Sequence, residues 1–160
     1  MLDANILIAG TVWPRWPYEV LQYALRGDFR LVLSEYVLEQ TRFHINRRFP
    51  AYLESYNEFL NSCQYELSPD PTREQVARFI DLVRDPSVVP VALAAIQAEV
   101  DYLVSEDKDL TVIDESTSRL RQTLKVMIAG TFLHDVMGWS REDLEKIRHR
   151  TWQDISFEET

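Results

Sequence analysis

Four acids, Asp3, Glu39, Asp107 and Asp109, are the side chains of this 160-residue chain best suited to chemistry. Asp3 follows Met1-Leu2 and precedes Asn5. Glu39 lies one turn into the helix expected after a short apolar strand. Asp107 and Asp109 come directly after Tyr102-Leu-Val-Ser105. In an open α/β sheet, functional side chains gather beyond the carboxyl ends of the strands, so crossover connections can bring these acids to one edge. Carboxylates packed together repel and cannot all ionise cheaply. A divalent ion removes that penalty, and oxygen-only ligation favours Mg²⁺ or Mn²⁺ over Zn²⁺. Singly, each acid has a plainer reading: Asp107-Lys-Asp109 as a turn, Asp3 as an acceptor for a nearby backbone amide, Glu39 as a solvated helix residue paired with Arg42.

Competing chemistries lack their parts. Covalent phosphoryl transfer needs a second Asp where Asn5 stands. Four scattered glycines build no phosphate loop. His44, His134 and His149 have no metal-ligand spacing, and Cys63, the lone cysteine, reads as a small buried group. One cysteine also excludes an intrachain disulfide, which points to a reducing, cytoplasmic setting. The longest apolar run, within Val88–Ile96, falls far short of the roughly 20 residues that a membrane span needs. Asp3 stands where a secretory signal wants positive charge.

The net charge of −9 is uneven. Residues 69–115 hold four basic and eleven acidic side chains, a balance of −7. A polyanionic partner would therefore need metal ions and local basic patches. Arg42, Arg47 and Arg48 form the most obvious one. Trp13, Trp16 and Tyr18 could stack on bases, although packing over the sheet is the simpler expectation.

Strand and helix patterns alternate. Strands are expected at Leu2–Ile8, Phe29–Leu33, Gln64–Leu67, Tyr102–Ser105 and Leu124–Ile128. Helices are expected from Pro17 to Gly27, from a Ser34 cap to Arg48, and from Pro50 to Ser62. Thr72-Arg-Glu-Gln75 is a capping box for a helix with Val76, Phe79, Ile80 and Val83 on its apolar face. Further helices are expected at Val91–Glu99, Thr131–Met137 and, capped by Ser140, Arg141–Trp152. Strands separated by helices imply a parallel sheet covered on both faces.

Three blocks, Leu2-Asp-Ala-Asn-Ile-Leu-Ile8, Ser34-Glu-Tyr-Val-Leu-Glu39 and Asp101-Tyr-Leu-Val-Ser-Glu-Asp-Lys-Asp-Leu110, resemble successive blocks of a PIN domain, the family that includes VapC-like toxin ribonucleases. Lys125–Leu133 resembles the closing strand and helix, so the likeness spans about residues 1–135. The resemblance implies a three-layer α/β/α sandwich around a mainly parallel sheet of four to five strands. Residues 1–160 would form one such domain, with a helical extension at about 136–160. It also implies a Mg²⁺- or Mn²⁺-dependent nuclease site acting on RNA. Asp3, Glu39 and Asp107 match the family's first, second and fourth acids, Asn5 and Ser105 its polar supports, and Asp109 its extra acid. A cognate antitoxin and a homodimer are further expectations from the resemblance.

One stretch departs from that pattern. The family writes its third acid in a sequence like Asp-Pro-x-Asp-x-Pro, and here Asp85-Pro-Ser-Val-Val-Pro90 puts Val88 at the acid's place. Valine offers no lone pair, so two-metal clamping is disfavoured. Asp85 and Ser87 are the nearest possible substitutes. The alternative reading is therefore a degenerate PIN domain that binds RNA or protein without cutting.

Overall fold

The computed structural model describes residues 1–158. Four short strands are interleaved with helices: β1 (Leu31–Ser34), β2 (Tyr65–Ser68), β3 (Tyr102–Val104) and β4 (Lys125–Met127). The larger helices are α1 (Ala4–Val12), α2 (Trp16–Arg26), α3 (Glu35–Arg48), α4 (Leu53–Ser62) and α6 (Val89–Gln97). Shorter ones are α5 (Arg73–Arg78), α7 (Lys108–Thr111), α8 (Ser118–Arg121), α9 (Ala129–Asp135), α10 (Arg141–Lys146) and α11 (Trp152–Glu158). No helix is long and apolar enough to cross a membrane among the described residues.

The mixed α/β class matches expectation; one continuous sheet of four to five strands does not form among the described residues. β1 pairs in parallel with β2, and β3 with β4, as two separate two-stranded sheets. Met1–Asp3 lies along β3 as a clipped strand. The Met1 ammonium donates to the Tyr102 carbonyl at 2.7 Å, Val104 N to Met1 O at 3.0 Å, and Asp3 N to Val104 O at 3.0 Å. Only the Leu2–Val104 bridge qualifies as pairing there. Strands of three or four residues leave little backbone with which to knit the two sheets together.

The first expected strand is corrected. Of Leu2–Ile8, only the residues up to Asp3 are extended, and Ala4–Val12 is helical. Asp3 caps it, its Oδ1 accepting from Ala4 N at 2.7 Å. The run Ala-Asn-Ile-Leu-Ile-Ala is apolar on nearly every side, so it shows neither a period of two nor one of 3.6. Burial of Ile6, Leu7 and Val12 in the core decides the outcome.

Elsewhere the caps hold. Gly27 ends α2 at φ 75°, a left-handed turn suited to glycine. Ser34 Oγ accepts from Val37 N at 3.1 Å, starting α3. Thr72 and Gln75 close a capping box, but α5 stops at Arg78 and leaves Ile80 exposed. The helix expected over Arg141–Trp152 stops at Lys146, and α11 starts only at Trp152. The core beneath these elements joins Leu2, Ile6, Leu7, Leu33, Val37, Val89, Ala95, Leu103, Val104 and Leu133.

The segment after α9 is tied back at several points. Trp16 Nε1 donates to Leu144 O at 2.9 Å, and Trp152 Nε1 to Val12 O at 2.8 Å. Arg150 pairs with Glu19 at 2.6 Å and donates to Pro14 O at 2.7 Å. Of the extension expected at 136–160, Glu159 and Thr160 lie outside the described residues.

Candidate active site

Asp3 ends the clipped strand and Ser105 follows β3, so their parallel pairing places both at the same carboxyl edge. Ser105, fully buried, donates from Oγ to Asp3 Oδ2 at 2.7 Å. The same oxygen accepts from Asp107 N at 3.0 Å. Asn5 Nδ2 reaches Ser105 Oγ at 3.3 Å and Asp3 Oδ2 at 3.4 Å, while Asn5 Oδ1 accepts from Glu106 N at 3.0 Å. Asp107 Oδ1 in turn accepts from Asp109 N at 2.9 Å, capping the short α7. Residues a hundred positions apart thus form one hydrogen-bonded cluster.

Burial raises the Asp3 pKa above the ordinary carboxylate range. The charge of Asp107 pushes the same way, against the hydrogen bonds from Ser105, Ala4 and Asn5. A desolvated carboxylate repelled by a second is the electrostatic setting a cation relieves. Asp3 Oδ1 keeps a lone pair beyond its bond from Ala4 N, whereas Oδ2 accepts from both Ser105 and, more weakly, Asn5. Two carboxylates suit a hard cation that keeps several waters. No three His, Cys, Asp or Glu side chains converge on an ion among the described residues, so the remaining ligands would be water or substrate oxygens.

Glu39 is not drawn into this cluster. It is exposed on α3, and its side chain has no hydrogen bond or ion pair among the described residues, to Arg42 or otherwise. Tyr36, three residues earlier and on the same helical face, stands nearer. Burial, and then the charges of Asp3 and Asp70, push its phenol pKa up. Tyr36 N also donates to Asp70 Oδ1 at 2.9 Å.

Val88 is half-buried against the core at the start of α6. The two possible substitutes for its missing carboxylate engage each other: Asp85 Oδ1 accepts from Ser87 N at 3.0 Å and Ser87 Oγ at 2.8 Å. Asp109 is also engaged, its Oδ1 accepting from Arg84 Nη2 at 2.6 Å and Nε at 3.0 Å. Arg42, Arg47 and Arg48 are exposed. The last two stack beside Phe43 and Phe49, about 12 Å farther along the axis of α3 than Glu39 at 1.5 Å per residue.

Sequence reasoning missed Tyr36, Arg84 and Glu106. Glu106 Oε1 accepts from Ala129 N at 3.0 Å, fixing the start of α9 against the loop. It falls inside the Ser105-Glu-Asp107 block, a local signal that could have marked it. Arg84 carried no such signal, since its partner is 25 residues away.

The sequence profile of the PIN domain matches residues 1–109, a stretch that holds every member of the Asp3–Asn5–Ser105–Asp107–Asp109 arrangement. No curated protein and no solved structure matches the chain. With more than half its length under that profile and its acids at the strand ends, the chain belongs to the PIN-domain family.

Proposed function

We propose that this chain is a divalent-metal-dependent ribonuclease that hydrolyses RNA phosphodiester bonds. The supporting observation is the Asp3–Ser105–Asp107 cluster, with Asp3 and Ser105 buried and Asp107 half-buried, in a family whose members generally use divalent ions. In this reading Asp3 and Asp107 would hold Mg²⁺ or Mn²⁺; Glu39 and Asp109, which the family pattern also assigns to the metal, stand outside that pair, with Asp109 held by Arg84. Bound there, the ion lowers the pKa of water and neutralises charge developing on the phosphate. The protein's own part is orientation. Ser105 and Asn5 fix the Asp3 carboxylate so that it loses little freedom on binding. Burial excludes bulk water from Asp3 and strengthens its electrostatics. Arg42, Arg47 and Arg48 would serve as an outlying track for the RNA backbone.

Purified protein should cut single-stranded RNA only with Mg²⁺ or Mn²⁺ present, and Asp3→Asn should abolish that cleavage. Retained activity in the variant removes the assignment.

A second reading is favoured by Val88 and by the partnerless Glu39: a degenerate PIN domain that binds RNA or a protein without cutting. Calorimetry with Mn²⁺ separates the two, because a degenerate site shows no saturable binding at millimolar metal. The finer attributes that rest on the family likeness are a VapC-like toxin role, a cognate antitoxin and a homodimer; one domain over 1–160 with a helical extension at about 136–160 rests on chain length and an unbroken pattern, and a cytoplasmic location on the lone cysteine.

A further inference from the structure

We propose that Arg84 is the residue through which this acidic site grips the RNA backbone, contacting a phosphate while it holds Asp109. This inference rests on the ribonuclease reading above. The guanidinium places Nε and Nη2 on a single oxygen, Asp109 Oδ1, at 3.0 and 2.6 Å. Arginine has five N–H donors in a planar fork, so three remain for another acceptor. The Arg84 side chain is 67% exposed against 23% for Asp109, so the free donors face solvent above a sheltered carboxylate.

Its position is set from below. Leu82 and Val83 are buried in the core immediately before it, and the Asp85–Ser87 turn closes immediately after. Asp109 is joined to the acid cluster through its own backbone, donating to Asp107 Oδ1 at 2.9 Å. Arg84 is thus a fixed cation one link from Asp107, at the edge where Asp3 and Ser105 converge. The charges of Asp85 and Asp114 act on it as well. Residues 69–115 carry four basic side chains against eleven acids, and a polyanion approaching such a surface meets net repulsion. Of those four, Lys108 is exposed without a partner among the described residues, whereas Arg84 is held in a defined geometry. Planar, bidentate recognition of phosphate is the arginine fork's particular strength. The Arg47–Arg48 pair, by contrast, sits well along α3 from the acids.

The test is fluorescence anisotropy of a short labelled oligouridylate, with millimolar Ca²⁺ supplying the hard cation, over roughly 50 to 200 mM KCl. Losing one phosphate contact on single-stranded RNA should make the salt slope shallower by about 0.7 and weaken binding several-fold at low salt. Arg84→Gln should show this, and Arg84→Lys should recover the slope. The double variant Arg84→Gln with Asp109→Asn should stay shallow, since the missing contact is to RNA. Arg26→Gln, which removes an exposed cation paired with Asp28 at the far end of α2, should leave the slope unchanged. The inference falls if Arg84→Gln keeps the wild-type slope, if the double variant regains it, or if Arg26→Gln lowers it equally. In each of those cases the wild-type chain still binds RNA and the broader reading stands. A wild-type chain that does not bind the oligonucleotide overturns both.

Discussion

Ser105 Oγ lies 2.7 Å from Asp3 Oδ2 and 3.0 Å from the amide nitrogen of Asp107, so one buried hydroxyl joins the two acids of the site. It gives its proton to the first acid and takes one from the backbone of the second. Ser105→Ala should leave the Asp107 amide without this acceptor and Asp3 with only the long Asn5 contact on Oδ2. Leaving buried groups unsatisfied costs about 1–3 kcal/mol. Urea denaturation should show a loss of that size, and cleavage should fall more than stability alone explains. A variant as stable and active as the wild type would mean that the hydroxyl is incidental.

Metal binding should register as thermal stabilisation. At ten times its dissociation constant, a ligand bound only by the folded state adds about 1.4 kcal/mol. For a chain of this size that raises Tm by about 3–6 °C. Mn²⁺ should produce this shift near neutral pH, and Asp3→Asn should remove it. Because burial lifts the Asp3 pKa, protons compete with the ion from a higher pH than usual. As pH falls, the stabilisation should therefore fade sooner than an unshifted carboxylate would allow, with calorimetry detecting proton release as it weakens. A Mn²⁺ shift that is flat with pH would place the ion elsewhere.

The site was more legible in the sequence than the fold was. Asp3, Asn5, Ser105 and Asp107 sit in compact blocks whose order along the chain foretells their meeting at strand ends. The N-cap of Ser34, the Thr72 capping box and the Gly27 turn are local chemistry and read directly. The span Ala4–Val12 did not, because a nearly all-apolar run buried on several sides carries no period and only tertiary packing decides its form. α5 and α10 end earlier than their patterns suggested for a similar reason: long-range contacts place the residues beyond Arg78 and Lys146. The Arg84–Asp109 pair and the action of the Asp3 charge on the Tyr36 phenol are products of folding alone.

Val88→Asp should increase Mn²⁺ affinity about tenfold, the effect of adding about 1.4 kcal/mol of carboxylate–cation interaction. Val88 closes a 3-10 turn over Pro86–Val88 directly before α6, at φ −99° and ψ −1°, so an aspartate there adds charge near a helix N-terminus, worth about 0.3–1 kcal/mol, against the lost apolar packing. Tm in metal-free buffer should therefore fall slightly. If the variant cuts RNA and the natural chain does not, the natural chain is the degenerate binding module. Unaltered metal affinity would mean that position 88 does not face the ion.

Arg150 should anchor the C-terminal segment to α2. Its guanidinium lies 2.6 Å from Glu19 and 2.7 Å from Pro14 O, and the paired side chains are only 11% and 17% exposed. Breaking such a sheltered pair leaves one charge uncompensated, at a cost approaching the 3–5 kcal/mol of fully buried pairs. Arg150→Met should lower the urea midpoint by a corresponding amount, and Glu19→Gln combined with it should recover part of the loss. Additive losses in that double variant would show that the two residues act separately.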